Sequence, residues 1–347
     1  MNNLNKKSKK LNEILNWLSN NNMEYALVGE KPTRLLNSFD NDVDLAVSKD
    51  AYVRINQTIQ NLCKETDIRL VILYRHEIDV FDFIVVWEED GKVHNLPIDL
   101  CVDYRRKGIK YIDSQTLLST KKQDKDTKWF TLSNETNFLY YLIKKIGKRS
   151  IDNTQILFLH ELYNQSNKEI VKSLISKYWD TKDQEHIIKT ILNKDINSFN
   201  AKSKIWSQIM ASKGKCSFKE YFINLKRKIS YLLEPRGIIC SINENDLTFF
   251  NEYIKTTSEW FRKNQVIKLK RFSPLTILKI LKILNLKWHS GIVFVVKPNT
   301  NRFAFSDITL DTTNSSELKA HFDHIINYME ARETKRIKRF SKHLQLS

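Results

Sequence analysis

The sequence predicts an α/β (α+β) fold: a mixed sheet with helices packed on it, then a helical domain, then a small α/β tail. Three observations predict it. Short strand-like and helical segments alternate over roughly the first 115 residues, helical periodicity takes over from about Ser133, and a strand-and-helix alternation returns after Pro235. The expected domains are 1–130, 131–233 and 234–347. A chain of 347 residues has room for two or three cores, and 41% apolar residues with only seven Gly and five Pro fit folded domains without long flexible linkers.

The elements follow in order. Leu11, Ile14, Leu15 and Leu18 recur at helical spacing and give a first helix, stopped at the run from Ser19 to Asn22. Residues 24–29 ("EYALVG") read as a strand, 31–39 ("KPTRLLNSF") as a turn and short helix, and 42–47 ("DVDLAV") as a second strand. Residues 51–64 form another helix and 68–74 ("IRLVILY") a third strand. Residues 80–103 make a hairpin, with Asp90-Gly91 supplying the positive backbone angles of its turn. In "NETNFLYYLIKKIGK", Phe138, Tyr141, Leu142 and Ile146 share a helix face, and helical segments continue to about Leu233. The tail holds the strand-like "GIVFVV" (291–296) and a last helix over 315–336.

The net charge of +17 is unevenly placed. Residues 1–115 carry 16 Lys+Arg against 18 Asp+Glu, whereas residues 116–347 carry 41 against 22. The excess lies along the helical part without the aromatic-rich arrangement of a base-stacking surface, so a solvated basic face is expected ahead of a nucleic-acid site. Cys63, Cys101, Cys216 and Cys240 show no metal or disulfide spacing. The N-terminus lacks the apolar core of a signal peptide and no apolar run spans a bilayer, which gives the expectation of a cytoplasmic protein. The basic apolar segment "SPLTILKILKILNLKWHS" (273–290) is expected to pack in a core or between domains, with contact to a membrane surface as the lesser alternative.

Asp40, Asp42 and Asp44 fall within five residues and run straight into apolar Leu45, Ala46 and Val47. Like charges so crowded are either solvated in a turn or gathered by a cation. Strand alternation puts Asp42 and Asp44 on one face and Val43, Leu45 and Val47 on the other, while Asp40 reads as a turn residue. In the second strand of the hairpin, Asp99, Cys101 and Asp103 share a face. If the two strands are neighbours, Asp99 joins Asp42 and Asp44 in an oxygen-rich site suited to Mg²⁺ or Mn²⁺, with Asp103 as the alternative third ligand.

The set Gly29, Asp42-Val43-Asp44 and Asp99, in that order, resembles the nucleotidyltransferase superfamily. "NDVDLAV", "LPIDLCVDYRRKGIKYIDSQTLL" and "NFLYYLIKKIGK" together resemble the nucleotidyltransferase-like proteins of bacterial surface-polysaccharide gene clusters, over residues 20–150. The resemblance implies a nucleotidyltransferase-type mixed sheet and a metal-dependent transfer of a nucleotidyl or phospho-substituent group in surface-polysaccharide biosynthesis. A nucleotide or nucleotide-linked donor, a sugar-containing acceptor and Mg²⁺ or Mn²⁺ go with it. It implies Asp42, Asp44 and Asp99 as metal-binding and catalytic residues, with Asp99 as a base for the acceptor hydroxyl. Gly29, Lys31, Arg34, Arg105, Arg106 and Lys144 stand as substrate-binding candidates. Arg105 and Arg106 could equally form surface ion pairs, and Lys144, Lys145 and Lys148 an exposed helix face. His76 and His94 read as structural. Where the superfamily usually has Gly-Ser or Gly-Gly, this chain has Gly29-Glu30, whose carboxylate would repel a triphosphate unless it turns away or pairs with Lys31 or Arg34.

"EPRGIICSINENDLTFF" (234–250) and the last helix resemble the two ends of a thymidylate-kinase-like domain. "INENDLT" stands where a P-loop would need Gly and Lys, so a degenerate remnant without ATP chemistry is expected. Two readings from other classes remain: a catalytically inactive scaffold, favoured by Gly29-Glu30, and a nucleic-acid binder, favoured by the basic excess.

Overall fold

Leu11, Ile14, Leu15 and Leu18 are buried on one face of helix α1 (Asn3–Asn20), and Asn22 turns the chain out of it with a left-handed φ of 55°. The structure is a computed structural model and describes residues 3–37, 42–106, 108–214, 218, 220–223, 225, 229, 237–243, 263–269, 274–288, 291–297, 305–310 and 318–344. Two compact units divide the chain: Met1–Thr58, Arg75–Asp82 and Ile98–Asn224 form the first, and Ile59–Tyr74, Phe83–Pro97 and Leu225–Ser347 the second.

The strands in order are β1 (Tyr25–Leu27), β2 (Val43–Val47), β3 (Arg69–Glu77), β4 (Val80–Glu89), β5 (Lys92–Cys101), β6 (Tyr104–Arg106), β7 (Ile109–Ile112), β8 (Lys122–Gln123) and β9 (Phe130–Thr131). Seven of them form one mixed sheet in the order β3-β4-β5-β2-β1-β9-β8, and β6 and β7 pair separately. The β4–β5 turn is at Asp90-Gly91, with φ of 53° and 69°, as the sequence predicts. Helices α2 (Pro32–Asn37), α3 (Lys49–Val53) and α4 (Ile55–Glu65) lie between the early strands. The single helix expected over 51–64 is two: Ser48 caps α3 by accepting from the Ala51 N–H at 3.2 Å, and the chain turns at Arg54 before α4.

β8 and β9, two residues each, carry no periodic pattern in the sequence. They form because Asp124 closes their turn, accepting from the Thr127 N–H at 2.9 Å, and Trp129 is fully buried with its indole N–H on Asn12 at 2.8 Å. β9 then pairs parallel with β1, Leu27 opposite Thr131. After α5 (Ser114–Leu118) the helical part holds α6 (Asn134–Lys148), α7 (Asn153–Asn164), α8 (Lys168–Ile175), α9 (Thr181–Leu192) and α10 (Ile196–Lys213). Phe138, Tyr141, Leu142 and Ile146 of α6 are buried in one cluster with Phe158, Trp179 and Trp206. Capping by Ser133, Asp152, Asn167, Asp180 and Asp195 starts α6 to α10 in turn.

In the second unit, β10 (Ile238–Asn243), β11 (Lys263–Lys268), β12 (Gly291–Lys297) and β13 (Ile308–Leu310) form a parallel sheet in the order β11-β12-β10-β13. Helix Pro274–Trp288 buries Ile283 against Ile239, Val293 and Val295, while Leu278 and Leu281 are exposed. Helix Leu318–Leu344 sets Ile325, Ile326 and Met329 against Ile238, Cys240 and Phe294, in one cluster with Val71, Ile72, Ile84 and Val86. Glu333, fully buried, accepts from the Leu73 N–H at 3.3 Å and from Arg336 at 2.9 Å. Arg69 pairs with Glu330 at 2.7 Å. Of the stretch "INENDLT", Ile242 and Asn243 end β10, and the remainder lies outside the described residues. No described helix is long and apolar enough to cross a membrane.

A chain ending before Pro235 would uncover Val71, Ile72, Ile84 and Val86. Such a truncation is expected to lower the melting temperature and to bind a hydrophobic dye. A thermal melt with dye fluorescence checks this, and an unchanged melting temperature would contradict it.

Candidate metal centre

Val43, Leu45, Ala46 and Val47 are buried, which fixes the orientation of β2 and leaves Asp44 half-buried and Asp42, one residue before the strand, exposed. β2 runs parallel to β5 with Val43 opposite Ile98, Asp44 opposite Asp99 and Leu45 opposite Leu100. Residues directly opposite in a ladder present their side chains to the same face, so the register itself sets Asp99 beside Asp44. Carboxylate oxygens of Asp42, Asp44 and Asp99 all lie within 4.8 Å of one another. Three hard oxygen donors at that spacing fit Mg²⁺ or Mn²⁺.

Burial is the first cause pushing the Asp99 carboxyl up to about 9, followed by the charges of Asp82, Asp44 and Asp42 and a hydrogen bond with Asp82. Asp82, on the neighbouring strand β4, is a member of the site that the sequence reading missed. Its signal was present: a lone carboxylate interrupting the run Val80, Phe81, Phe83, Ile84. A negative cluster of this kind is costly unless protons or cations compensate it.

One compensating cation is Lys144 of α6, whose ammonium forms an ion pair with Asp44 Oδ2. Burial works against its charge, but Asp44, by charge and by hydrogen bond, raises its pKa above that of an ordinary lysine. α6 is held against β1 at this point. The Gly29 N–H donates to Asn137 Oδ1 at 2.7 Å, and a Cβ on Gly29 would stand 3.2 Å from the Tyr140 ring at a φ of 73°. Gly29 thus serves close approach of strand and helix, and its N–H is taken by α6.

The last turns of α6 gather further positive charge. Lys145 is not the exposed face residue expected: it is buried over the Tyr141 ring at 4.8 Å, and burial with the charges of Lys148 and Lys144 lowers its pKa to about 8. Lys148 presents much of its side chain to solvent; the partial covering it does have, then the charge of Lys144, lowers its pKa, with Arg106 contributing. The Arg106 stem crosses Gly147, 2.7 Å from where a Cβ would stand, and its buried Nε has no hydrogen-bond partner among the described residues.

Other expected residues are placed elsewhere. Arg105 is not a surface ion pair: it is buried, bonded to Asp79 and Glu220 at 2.6 Å each, and lies 3.4 Å from Asp103. Asp103, the alternative third ligand, lies beyond the end of β5, where its carboxylate accepts from the Ser114 N–H at 2.9 Å and faces Arg105 and Lys110. The chain has left the ladder after Cys101, so alternation no longer sets Asp103 with Asp99. Lys31 donates to Glu161 at 2.6 Å and Gln165 at 2.8 Å, tying the loop after β1 to α7. Arg34 lies in α2 with its side chain outside the described residues, as does that of His76; Asp40 lies outside them altogether. His94 is buried and stacks on Trp87 at 5.5 Å.

The raised Asp99 carboxyl makes the cation-free protein pH-sensitive. Its folded pKa of about 9 exceeds the ordinary 3.8, so between these values the folded state binds the proton and the unfolded state does not. Stability is fully present below pH 4 or so and is lost as pH rises through about 9. Urea melts without divalent cation should therefore show wild type losing stability relative to Asp99→Asn as pH rises from 5 to 9, by at least about 1 kcal/mol. Parallel curves would contradict the buried-carboxyl account.

No family model matches the chain, and no curated protein matches it. Among solved structures, an antigenic nucleotidyltransferase-like protein from Paracoccidioides brasiliensis aligns with 53% of this chain and 93% of its own, at 17% identity and a TM-score of 0.32. A nucleotidyltransferase candidate from Thermotoga maritima aligns with 46% of this chain and 92% of its own, at 14% identity and a TM-score of 0.28. At such scores the functional reading stands on the site itself.

Proposed function

We propose that the chain is a divalent-cation-dependent transferase of nucleotidyl or phospho-substituent groups, with Asp42, Asp44 and Asp99 holding Mg²⁺ or Mn²⁺. The observation that carries this reading is the convergence of those three carboxylates to within 4.8 Å beside a lysine-rich helix end. When bound, the cation neutralises charge on a phosphate and activates an oxygen nucleophile. Asp44 and Asp42 bind it, and Asp44 is fixed by its ladder partner Asp99. Asp99 is kept protonated by burial and then by the neighbouring negative charges; with a cation opposing those charges it is freed of its proton and accepts that of the acceptor hydroxyl at a carboxylate oxygen. Lys144, Lys148 and Arg106 orient the phosphates by charge. Arg105, committed to Asp79 and Glu220, keeps β6 in place rather than touching substrate.

The finer reading assigns a nucleotide or nucleotide-linked donor, a sugar-containing acceptor and a place in bacterial surface-polysaccharide biosynthesis; it is supported by the ordered sequence blocks over residues 20–150. A second reading, a scaffold that binds without turnover, is favoured by Gly29: its N–H goes to Asn137, which leaves that group unavailable to a triphosphate, and Glu30 follows it.

Thermal melts with Mn²⁺ and a panel of nucleoside triphosphates and nucleotide sugars test the proposal. A ligand at a hundred times its dissociation constant should stabilise wild type by about 2.7 kcal/mol. Asp42→Asn, Asp44→Asn and Asp99→Asn should lose that gain and any turnover. Asp103→Asn should instead cost about 2 kcal/mol of stability while keeping the cation response, since it weakens a buried charge-assisted hydrogen bond. Retention of the Mn²⁺ response by all three triad variants would reject the transferase reading.

A further inference from the structure

Lys144 shares Asp44 with the cation that the triad is built to hold. Its ammonium rests on Asp44 Oδ2, both side chains are largely covered, at 17% and 14% exposed, and it stands 5.7 Å from the centre of the Tyr140 ring. An ammonium there supplies positive charge that the three crowded carboxylates need when no other cation is present. Its helix is pinned to β1 through Asn137 and Gly29, so the backbone holds still and the flexible four-carbon stem is what can move the charge.

We propose that Lys144 is an exchangeable counter-ion: it occupies Asp44 in the cation-free protein, competes with the divalent cation, and is released to the phosphate that arrives with it. This rests on the reading of Asp42, Asp44 and Asp99 as a cation site. An ammonium and a divalent cation at one carboxylate repel each other, so their occupation of Asp44 is competitive. The released ammonium meets Lys148 and Arg106, whose charges already act on one another. Like charges oppose its arrival there unless an anion comes too. Cation loading is thereby coupled to phosphate binding: the divalent ion binds weakly alone and tightly when a polyphosphate takes up the displaced lysine.

The test is calorimetric titration of Mn²⁺ into the full chain, with and without inorganic tripolyphosphate, for wild type, Lys144→Met and Lys148→Met. Without tripolyphosphate, Lys144→Met should bind Mn²⁺ at least about three-fold tighter than wild type. Lys148→Met, which removes a nearby charge that forms no ion pair with Asp44 among the described residues, should gain less. Tripolyphosphate should tighten Mn²⁺ binding by a larger factor in wild type than in Lys144→Met. A smaller gain or a loss in Lys144→Met, or an equal gain in Lys148→Met, would overturn the exchange while leaving the triad intact as a cation site. Absence of Mn²⁺ binding in every variant, or binding indifferent to Asp44→Asn, would overturn the triad reading and the exchange with it. Should Lys144→Met fold poorly, Lys144→Gln keeps a donor to Asp44 without the charge and reads the same quantity.

Discussion

The parallel pairing of β2 with β5, Asp44 opposite Asp99, is the constraint on which the site depends. A slip of one residue would turn Asp44 into the core and expose Val43 and Leu45, both fully buried. The register is therefore held by the hydrophobic face, and the carboxylates occupy the opposite face because the core leaves them no other. Nothing about the carboxylates themselves favours the arrangement: burial and mutual repulsion oppose it. The core holds together what electrostatics alone would separate, and that stored repulsion is what a cation relieves.

α6 closes the other side of the site. Its buried face packs among the helices through Phe138, Leu142 and Ile146, while Asn137 and Tyr140 hold Gly29 and Lys144 reaches Asp44. A single helix thus carries packing, the grip on β1 and the counter-charge. The positive charge of its last turns lies close by: burial first, then neighbouring cations, lowers the proton affinity of Lys145 over Tyr141 and of Lys148 near Arg106. Such crowding is relieved by an anion, as the triad's is by a cation, and a metal-bound phosphate offers both.

Local pattern made much of this legible. The period-two alternation of Asp42 to Val47, the Asp90-Gly91 turn and the helical face of Phe138, Tyr141, Leu142 and Ile146 are set by neighbours in sequence, and the structure follows them. What depended on partners distant in sequence was hidden. Arg105 was read as a surface or phosphate-binding residue because its partners Asp79 and Glu220 lie 26 and 115 positions away. Asp103 looked equivalent to Asp99 until the end of the ladder at Cys101 separated them. Asp82 could have been suspected as a carboxylate inside an apolar strand, but its hydrogen bond with Asp99 follows from strand order, which no local period encodes. β8 and β9 were invisible because two-residue strands have no period to read.

The central claim is that the β2–β5 register builds a cation site from Asp42, Asp44 and Asp99. Anomalous diffraction from crystals grown with Mn²⁺ and a non-hydrolysable nucleoside triphosphate tests it most directly. The account predicts a manganese peak bonded to carboxylate oxygens of Asp42, Asp44 and Asp99, with the Lys144 ammonium moved off Asp44 toward the phosphates. A triad without manganese at saturating concentration, or manganese held by other residues, would contradict it.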